Sequence, residues 1–553
     1  MSGYLLRIFL ILILSVITGL SGRLLCQNVF YRFSFTDKNG NGYDVSRPHE
    51  FLSERCIERR RKWGIPIDER DLPVNENYVD ALIQATGGLV HSRSKWFNDV
   101  VLQLADSSLV ALAEDLPFVQ QSIRLKSKKQ KENELSQKSD VIEIFCGDEA
   151  FYGKSCNQIA MLNGRSLHNL GYTGKGIHIA QLDAGWISTD KLPCFKKLYD
   201  ENRLGLIRDF AYPFGGDVFS LNSHGTSVLS IMASYWPDSL IGAAPDATYH
   251  LFRSEDPLTE TNLEEDNWVA AAELADSIGA DIINSSLGYS LFDFTWMDYS
   301  YSDMNGDITR CTQGADIAAE KGILVVNSAG NSGLQPWHHI TAPSDGDNVL
   351  AIGAVDGSRV FATFSGWGPS ADGDIKPDVC AQGRGTYFAG LDSTVKKGNG
   401  TSFSSPLIAG MAACLMQAAP DRSPFAIREA IRQSAHLFNT PNDSLGYGIP
   451  DFMKALAILR GDGSDESTNW MVYPNPFAEE INIILPCQNP PCNFEWRLLD
   501  AAGKQVMTGQ ENINAMGMVP VYLNSLTMAS GKYSFIIEYN NESRLFPIIK
   551  LKP

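Results

Sequence analysis

The chain has 553 residues, more than one hydrophobic core ordinarily holds, so we expect two to four domains. Its 44% hydrophobic and 20% charged residues are typical of globular proteins. The formal net charge of −18 argues against nucleic acid and acidic membrane surfaces as main partners.

The first residues have the pattern of an export signal. Arg7 precedes an apolar run from Ile8 to Leu20 that is too short to span a bilayer comfortably, and no later segment has the pattern of a membrane span. We assign residues 1–26 to a signal peptide, with cleavage after Gly22 or beside Cys26. A buried N-terminal helix and a lipid-anchored start at Cys26 are the alternatives.

Residues 27–130 have the pattern of a small α+β domain. Short alternating apolar runs take turns there with charged helical stretches, and Asp106 or Ser107 is the predicted cap of the last helix. The predicted elements are strands near 30–35, 89–91 and 99–104, and helices near 48–63 and 107–116.

Residues 131–156 are assigned to a linker and the entry to the next domain. The stretch from Lys126 to Glu134 is polar, charged and free of large apolar residues, so we expect it to be exposed. Its chemistry suits either a plain linker or a site of proteolytic processing.

Between residues 157 and 460 short apolar runs alternate with helical patterns. We predict buried strands near 177–182, 282–285, 324–326 and 349–352, and helices near 264–278, 311–321 and 407–418. Strands that alternate with helices predict an α/β fold with a mostly parallel sheet flanked by helices. Asp183 and Asn331 follow the ends of two such strands, where open α/β sheets place their sites.

After residue 460 the pattern changes. Residues 461–469 have the glycine, serine and acidic composition of a linker. Short strands separated by turns follow, which predicts a small C-terminal β-sandwich over residues 470–553.

Ten cysteines fit an oxidising destination without proving disulfides. Cys146 and Cys156 are close in sequence, as are Cys487 and Cys492, so each pair could close a short loop. Cys414 stands in an apolar run and is expected to be a buried free thiol.

Four polar residues stand within two positions of a glycine at breaks in this pattern: Asp183, His224, Asn331 and Ser402. A serine hydroxyl is a poor nucleophile at neutral pH, so it needs an imidazole to take its proton and a carboxylate to orient that imidazole. Pro406 is tolerated in the first turn of a helix, so the following helix should begin near Ser402 and place its positive end at the hydroxyl. Taken singly, Ser402 would be a helix cap and Asn331 a turn residue.

From about 157 to 460 the chain resembles the subtilisin-like serine peptidases, whose chain order is also Asp, His, Ser. The resemblance implies a serine endopeptidase in which Ser402 attacks, His224 is the general base and Asp183 orients it. It also implies that Asn331 stabilises the oxyanion together with the backbone amide of Ser402. The other shared strings are Gly174-Lys175-Gly176, Gly242-Ala243-Ala244-Pro245, Lys376-Pro377-Asp378-Val379 and Gly446-Tyr447-Gly448.

The same resemblance implies how substrate is held and how the enzyme is made. Substrates would be proteins or peptides, and residues 27–130 would be an inhibitory, fold-assisting propeptide of a zymogen; an independent binding domain is the alternative. The segments expected to bind the substrate backbone and wall the specificity pocket are Ser286-Leu287-Gly288 and Ala329-Gly330.

The chain departs from the family pattern at three positions. Ala184 follows the aspartate where a hydroxyl residue is common, so a supporting hydrogen bond to the carboxylate is expected to be missing. Ser227 replaces a frequent histidine and Phe403 replaces the usual methionine after the nucleophile. These changes leave the triad intact and affect only its tuning. Ser404 is expected to belong to the helix start rather than to the chemistry.

The C-terminal sandwich opens with Val472-Tyr473-Pro474-Asn475-Pro476-Phe477 and ends in the basic and apolar run Ile549-Lys550-Leu551-Lys552. It resembles the C-terminal sorting domains of type IX secretion in Bacteroidota. The resemblance implies the type IX machinery as a partner and a secreted or cell-surface protein, exported by the signal peptide and then by this domain. A carbohydrate- or protein-binding sandwich is the alternative.

No cofactor is required for this chemistry, and no catalytic metal is predicted. Asp303, Asn305 and Asp307 alternate around Gly306, which is similar to the start of a calcium loop. Gly314 stands where such a loop needs its glutamate, so a solvated turn is the better interpretation and calcium the weaker one.

Two other functions are compatible with the same residues. A catalytically inactive surface adhesin on this scaffold is one, although all four catalytic positions are present. An exopeptidase is the other. The natural substrate, its subsites, the cleavage bonds and the oligomeric state are left open by the sequence.

Overall fold

The computed structural model describes residues 29–126, 149–460 and most of 470–550, where 474–476, 478–479, 486–491, 514–517, 524–527 and 541 are excepted. The predicted signal peptide, most of the lysine-rich stretch after Lys126 and the linker at 461–469 lie outside the described residues. Within the described ranges, no helix combines the length and apolar character that crossing a bilayer requires.

The N-terminal unit is a four-stranded antiparallel sheet, ordered β2-β3-β1-β4, with helices against it. The predicted helix from Pro48 to Trp63 is shorter than expected: it begins at Glu54 because the side chain of Ser53 accepts a hydrogen bond from the backbone amide of Cys56 and caps it. The strands and main helices are β1 (Val29–Phe35), α1 (Glu54–Trp63), α2 (Glu76–Thr86), β2 (Leu89–Ser94), β3 (Asp99–Leu104), α3 (Val110–Glu114) and β4 (Val119–Lys126).

The central unit confirms the predicted α/β fold. Seven parallel strands have the order β13-β12-β11-β10-β5-β9-β6. They are β5 (His178–Asp183), β6 (Leu204–Asp209), β9 (Thr248–Arg253), β10 (Ile282–Ser285), β11 (Leu324–Ser328), β12 (Leu350–Val355) and β13 (Val379–Gln382), with the short pair β7 (Tyr235–Trp236) and β8 (Leu240–Ile241) and the hairpin β14 (Arg384–Ala389) and β15 (Val395–Asn399) outside the sheet.

Helices cover both faces of this sheet. Alternate strand residues serve different cores: Ile179 and Ile282 belong to one cluster, and Ala180 and Ile283 belong to another. This alternation explains why the buried strands are apolar along their whole length. The helices are α4 (Glu149–Tyr152), α5 (Cys156–Ala160), α6 (Gly164–Asn169), α7 (Lys196–Asp200), α8 (His224–Ala233), α9 (Leu263–Ile278), α10 (Arg310–Glu320), α11 (Thr401–Ala418), α12 (Pro424–Ser434) and α13 (Phe452–Arg460).

The residues of the predicted site lie at the edge of the sheet where the parallel strands end. β5 ends on Asp183, α8 begins on His224, and α11 begins one residue before Ser402. The helix predicted from Leu407 therefore starts six residues before its apolar run, near Ser402 as expected. Pro406, however, lies inside this helix and not in its first turn, which differs from the prediction.

The C-terminal unit consists of two antiparallel sheets that share one apolar core, which confirms the predicted β-sandwich. Its strands are β16 (Met471–Tyr473), β17 (Glu480–Ile484), β18 (Cys492–Leu499), β19 (Gln505–Ile513), β20 (Met518–Tyr522), β21 (Gly531–Tyr539) and β22 (Glu542–Lys550). Cys156 and Cys492 each take part in a disulfide bond. The cysteines that could close a short loop with them, Cys146 and Cys487, lie outside the described residues. Cys414 is a buried free thiol, as predicted.

Candidate active site

Asp183 and His224 form a direct hydrogen-bonded pair. Asp183 is fully buried at the end of its strand, and His224 Nδ1 donates to its Oδ1 over 2.7 Å. A Cβ on Gly225 would lie 2.6 Å from the carbonyl oxygen of Gly185, so only glycine lets the two loops approach this closely. With Nδ1 committed to the carboxylate, the Nε2 atom of His224 is available to exchange a proton.

The carboxylate also sets the affinity of His224 for protons. Burial lowers the pKa of His224, but the charge of Asp183 and its hydrogen bond more than offset this, so the pKa lies above its ordinary value. The side chain is still 33% exposed, so a substrate can reach it. The pair therefore stabilises an imidazolium at the surface of the site.

The carboxylate of Asp183 accepts two further hydrogen bonds, one of them from Gln181, which the sequence did not single out. The backbone amide of Ala184 donates to Oδ1 over 2.7 Å, and Gln181 Nε2 donates to Oδ2 over 3.2 Å. Gln181 Nε2 also donates to the carbonyl oxygen of Gly225 over 2.9 Å. The expected loss at Ala184 concerned a side-chain hydroxyl, which alanine lacks; the backbone amide of Ala184 and the side chain of Gln181 give the carboxylate its donors instead. The signal was available, because Gln181 is a polar residue in an apolar strand and lies on the same face as Asp183.

Ser402 lies in the first turn of α11 and is 9% exposed. Its Oγ donates to the carbonyl oxygen of Ser286 over 3.2 Å, while Ser286 Oγ donates to the carbonyl oxygen of Ser402 over 3.1 Å. The next ring, Phe403, stacks on His224 with centroids 6.4 Å apart. The described contacts place no hydrogen bond between Ser402 and His224, and such bonds are often looser before substrate binds.

The serines that follow have structural roles. Ser404 Oγ donates to the carbonyl oxygen of Thr401, and Ser405 Oγ donates to Asn284 Oδ1. Both are fully buried, so neither competes with Ser402 as an accessible hydroxyl.

Asn331 is held next to the start of α11. Its Oδ1 accepts from the backbone amide of Thr401 over 2.9 Å and from Thr401 Oγ1 over 3.1 Å. Because both donors engage the oxygen, the Nδ2 group is left to donate elsewhere, and Asn331 is exposed. Gly330 has a φ of +94°, a left-handed conformation that few other residues adopt.

The two predicted substrate-binding segments leave adjacent parallel strands. Ser286, Leu287 and Gly288 follow β10, while Ala329 and Gly330 follow β11. Leu287 and Gly288 are partly or fully exposed, whereas Ala329 is buried. The segments therefore run from neighbouring points on the sheet edge toward Ser402 and Asn331.

The turn around Gly306 is the place where the sequence favoured a solvated turn over calcium. Asp303 Oδ2 accepts from the backbone amide of Ser300, and Asn305 Oδ1 accepts from the amide of Asp307, so these side chains cap the turn. Two other acidic groups have oxygens within 4.8 Å of one another: Asp347, Asp372 and Asp374, which are exposed, and Glu255, Glu260 and Glu264. Acidic residues alone do not define a cation site, and peptide hydrolysis by a serine nucleophile needs no bound cation.

The N-terminal unit sits against α9 and α10 through buried ionic contacts. Asp276 on α9 is fully buried and bonds Arg60 over 2.8 Å, with Lys95 at 3.5 Å and Arg59 also in contact. Burial raises the pKa of Asp276, but Lys95, Arg59 and Arg60 outweigh it, so the pKa lies below its ordinary value.

Charges alternate in sign across this contact. Arg32 of the N-terminal unit donates to Asp266 over 3.0 Å, and Arg310 of α10 donates to Asp99 over 2.8 Å. Lys321 reaches back to Asp71 over 3.0 Å. Each side therefore supplies both cations and carboxylates, which makes the pairing specific to one orientation.

Comparisons with known proteins agree with this geometry. A model of the subtilase family matches residues 174–448, one of the peptidase S8 propeptide domain of Bacteroidota matches residues 30–140, and one of the secretion system C-terminal sorting domain matches residues 471–550. Subtilisin DY of Bacillus licheniformis is 31% identical over 232 residues, which cover 41% of this chain and 74% of the relative. The chain belongs to the subtilase family, and it carries a propeptide domain and a sorting domain.

Other relatives are more distant. The membrane-bound transcription factor site-1 protease of Mus musculus is 27% identical over 304 residues, which cover 53% of this chain but only 26% of that protein. The chain thus spans about a quarter of the length of that relative. The solved structure of the prenylagaramide maturation protease PagA is 24% identical, has a TM-score of 0.42, and covers 54% of this chain and 98% of that one.

Proposed function

We propose that the protein is a secreted serine endopeptidase, made as a zymogen, that hydrolyses peptide bonds through Asp183, His224 and Ser402. The observation that carries the proposal is the buried Asp183 carboxylate bonded to His224 Nδ1 at 2.7 Å, together with a helix whose first turn carries Ser402. This arrangement prepares an imidazole base next to a hydroxyl, which is what acyl transfer to serine needs.

In the first half-reaction, Ser402 Oγ attacks the substrate carbonyl carbon and its proton passes to His224 Nε2. The carbonyl oxygen becomes an oxyanion, which accepts hydrogen bonds from Asn331 Nδ2 and from the backbone amide of Ser402. That amide belongs to the first turn of α11, where amides have no partner within the helix. When the C–N bond breaks, His224 returns the proton to the leaving amine and an acyl-enzyme is left.

In the second half-reaction, a water molecule gives a proton to His224 and attacks the acyl carbon. The ester bond breaks, Ser402 regains its proton and the acid product leaves. Asp183 stays ionised and stabilises the imidazolium in both halves, which fits the raised pKa of His224. Asn331 is held for its part by the two Thr401 bonds to Oδ1, so it loses little entropy when the oxyanion forms.

The N-terminal unit supports manufacture as a zymogen. Its last strand runs to Lys126, and Leu125 packs with Leu263 at the start of α9. The buried ionic contacts on α9 and α10 hold it in place. We infer that the enzyme cleaves its own chain between Lys126 and the peptidase domain and that the released unit inhibits until it is degraded.

The C-terminal domain gives the proposed route out of the cell. A sorting domain in a chain with a predicted signal peptide supports passage through the inner membrane and then through the type IX machinery. Deleting residues 470–553 should leave an active peptidase in the periplasm of the native host. Full export of an active truncated enzyme would contradict this role.

The central test is Ser402→Ala in the full chain, with Ser404→Ala as the matched control. We expect Ser402→Ala to lower peptide hydrolysis by about 10⁶-fold, to abolish labelling by a fluorophosphonate probe and to leave the precursor unprocessed. Ser404→Ala should keep both labelling and maturation. An end-blocked peptide separates endopeptidase from exopeptidase, because only an endopeptidase cleaves it.

The labelling and maturation experiments can also support the alternative functions. A parent protein that binds surfaces but is never labelled at Ser402 would support the inactive adhesin. An alanine variant that matures at the same bond, with no other protease present, would contradict self-processing.

A further inference from the structure

A third segment closes the gap between the two substrate-binding segments. Tyr289, one residue beyond Gly288, donates its amide to the carbonyl oxygen of Ala342 over 2.8 Å and accepts from the amide of Ala342 over 3.1 Å. The adjacent residue, Thr341, donates its amide to the carbonyl oxygen of Ala329 over 3.3 Å. Thr341 and Ala342 are therefore fixed to both sides at once.

The side chain of Thr341 lies between the two glycines. A Cβ added to Gly288 would come within 2.1 Å of Thr341 Oγ1, and one added to Gly330 would come within 2.8 Å of the same atom. Thr341 is only 5% exposed, and its Oγ1 has no hydrogen-bond partner among the described residues. A buried hydroxyl without a hydrogen-bond partner is unfavourable. The Thr341 hydroxyl therefore occupies the space between the two glycines without a hydrogen bond that stabilises it there.

The reacting atoms define what enters this gap. In the proposed mechanism, the substrate carbonyl lies between Ser402 and Asn331. Asn331 directly follows Gly330, and Ser402 bonds the carbonyl oxygen of Ser286. The family resemblance assigns the Ser286–Gly288 and Ala329–Gly330 segments to the specificity pocket, so we expect the side chain of the residue that supplies the carbonyl to enter between them, where Thr341 lies.

We propose that Thr341 closes this pocket and restricts the residue on the acyl side of the scissile bond to a small side chain, namely glycine, alanine or serine. This rests on the proposed function. The volume of the Thr341 side chain sets the limit, because this side chain lies against both glycine walls. A pocket that lacks space for added carbons discriminates steeply against larger side chains.

The test uses the matured full-length enzyme and end-blocked peptides that differ only in the acyl-side residue: alanine, serine, valine, leucine or phenylalanine. The parent should give its highest kcat/KM with alanine or serine. Thr341→Gly should raise the ratio of phenylalanine to alanine cleavage by at least about 10-fold, since one missing methylene already gives about 10-fold or more.

Two further variants separate volume from polarity and from general damage. Thr341→Val keeps the volume and lacks the hydroxyl, so it should retain the preference for small residues. Thr363→Gly changes an exposed threonine whose side chain contacts Arg384 and is not among the atoms closest to Gly288 or Gly330, so it should leave the ratio unchanged. Should Thr341→Gly fail to fold, Thr341→Ala and the ranking of the parent enzyme decide the matter.

The inference is overturned when the parent cleaves faster after phenylalanine or leucine than after alanine, or when a folded Thr341→Gly or Thr341→Ala variant keeps the parental ratio. These results would leave the proposed peptidase function standing. Loss of all hydrolysis together with loss of fluorophosphonate labelling in the parent would instead overturn the function itself, and the pocket assignment with it.

Discussion

Two buried carboxylates of the peptidase domain, Asp276 and Asp183, have different roles. Asp276, at the contact with the propeptide domain, is surrounded by the cations Arg59, Arg60 and Lys95. Asp183, at the active edge, has one ionisable partner, His224, and otherwise accepts from neutral amides. Both are fully buried, so their partners and not their exposure distinguish them.

The difference between Asp276 and Asp183 shows that the neighbouring groups determine the role of a buried carboxylate. Burying an ion is costly unless partners compensate it. Around Asp276 several fixed cations give that compensation, and the pKa of the carboxyl is lowered. Around Asp183 the compensation is completed only when His224 takes a proton, and the pKa of His224 is raised. The first arrangement holds two units together, and the second favours proton transfer.

The largest effect on activity short of removing the nucleophile should come from Asp183→Asn. We expect kcat/KM to fall by about 10⁴-fold because the histidine loses its orienting charge. The parent needs neutral His224, so its activity is lost as pH falls through the raised pKa; in the variant that acid limb should move to lower pH. A pH profile of kcat/KM measures both, with Asp200→Asn as an exposed control. An unmoved limb would contradict the pairing.

Asp276→Ala should instead act on stability. Removing one member of a buried ionic cluster costs about 3–5 kcal/mol, because Arg59 is left buried without its carboxylate and Arg60 keeps only Asp71. Denaturant unfolding of the precursor carrying Ser402→Ala measures it. Glu320→Ala breaks an exposed pair with Arg70 and should cost at most about 1 kcal/mol. Equal effects of the two changes would remove the distinction drawn for Asp276.

The same carboxyl predicts a direction for pH. The pKa of Asp276 is lowered by folding from its ordinary value of 3.8, so its contribution is present above that pH and is lost as pH falls through the lowered value. In the Ser402→Ala precursor, stability should therefore decline with acid below about pH 4, and Asp276→Ala should flatten that part of the decline. An unchanged acid slope would argue that other groups carry it.

Asn331→Ala should lower kcat by about 10²–10³-fold with little change in KM, because the amide is proposed to act on the oxyanion. Steady-state kinetics on one peptide suffices. Asn305→Ala, in the half-buried turn around Gly306, is the control. A rise in KM at constant kcat would place Asn331 in ground-state binding.

The smallest effect expected is that of Gln181→Leu, which removes the side-chain donor to Asp183 Oδ2 with little change in size. A lost bond to a charged acceptor predicts a fall in kcat/KM of about 10-fold or somewhat more. With one donor fewer, the carboxylate attracts the imidazolium more strongly, so the acid limb should move to higher pH, opposite to Asp183→Asn. A merely destabilised protein would leave the limb in place.

The amino-acid sequence by itself determined the fold class and the family. The apolar runs between helical patterns predicted a parallel α/β sheet, because a strand that is covered on both faces is apolar along its whole length. The structure confirms this prediction. A helix start near Ser402 was predicted correctly, although Pro406 lies inside the helix and not in its first turn as the argument assumed. Domain boundaries, catalytic roles and the export signal stay predictions.

Only the tertiary structure decided which groups surround those residues. Arg60 and Asp276 are 216 positions apart in the chain, and no local pattern links them. Gln181 was within reach of a sequence argument, yet its second bond, to the carbonyl oxygen of Gly225 at the start of α8, joins two separate parts of the chain. Thr341 meets Gly288 and Gly330 because three separate segments converge at one sheet edge. Local periodicity reports which face of an element is buried, whereas the partners on that face are set by packing between distant parts of the chain.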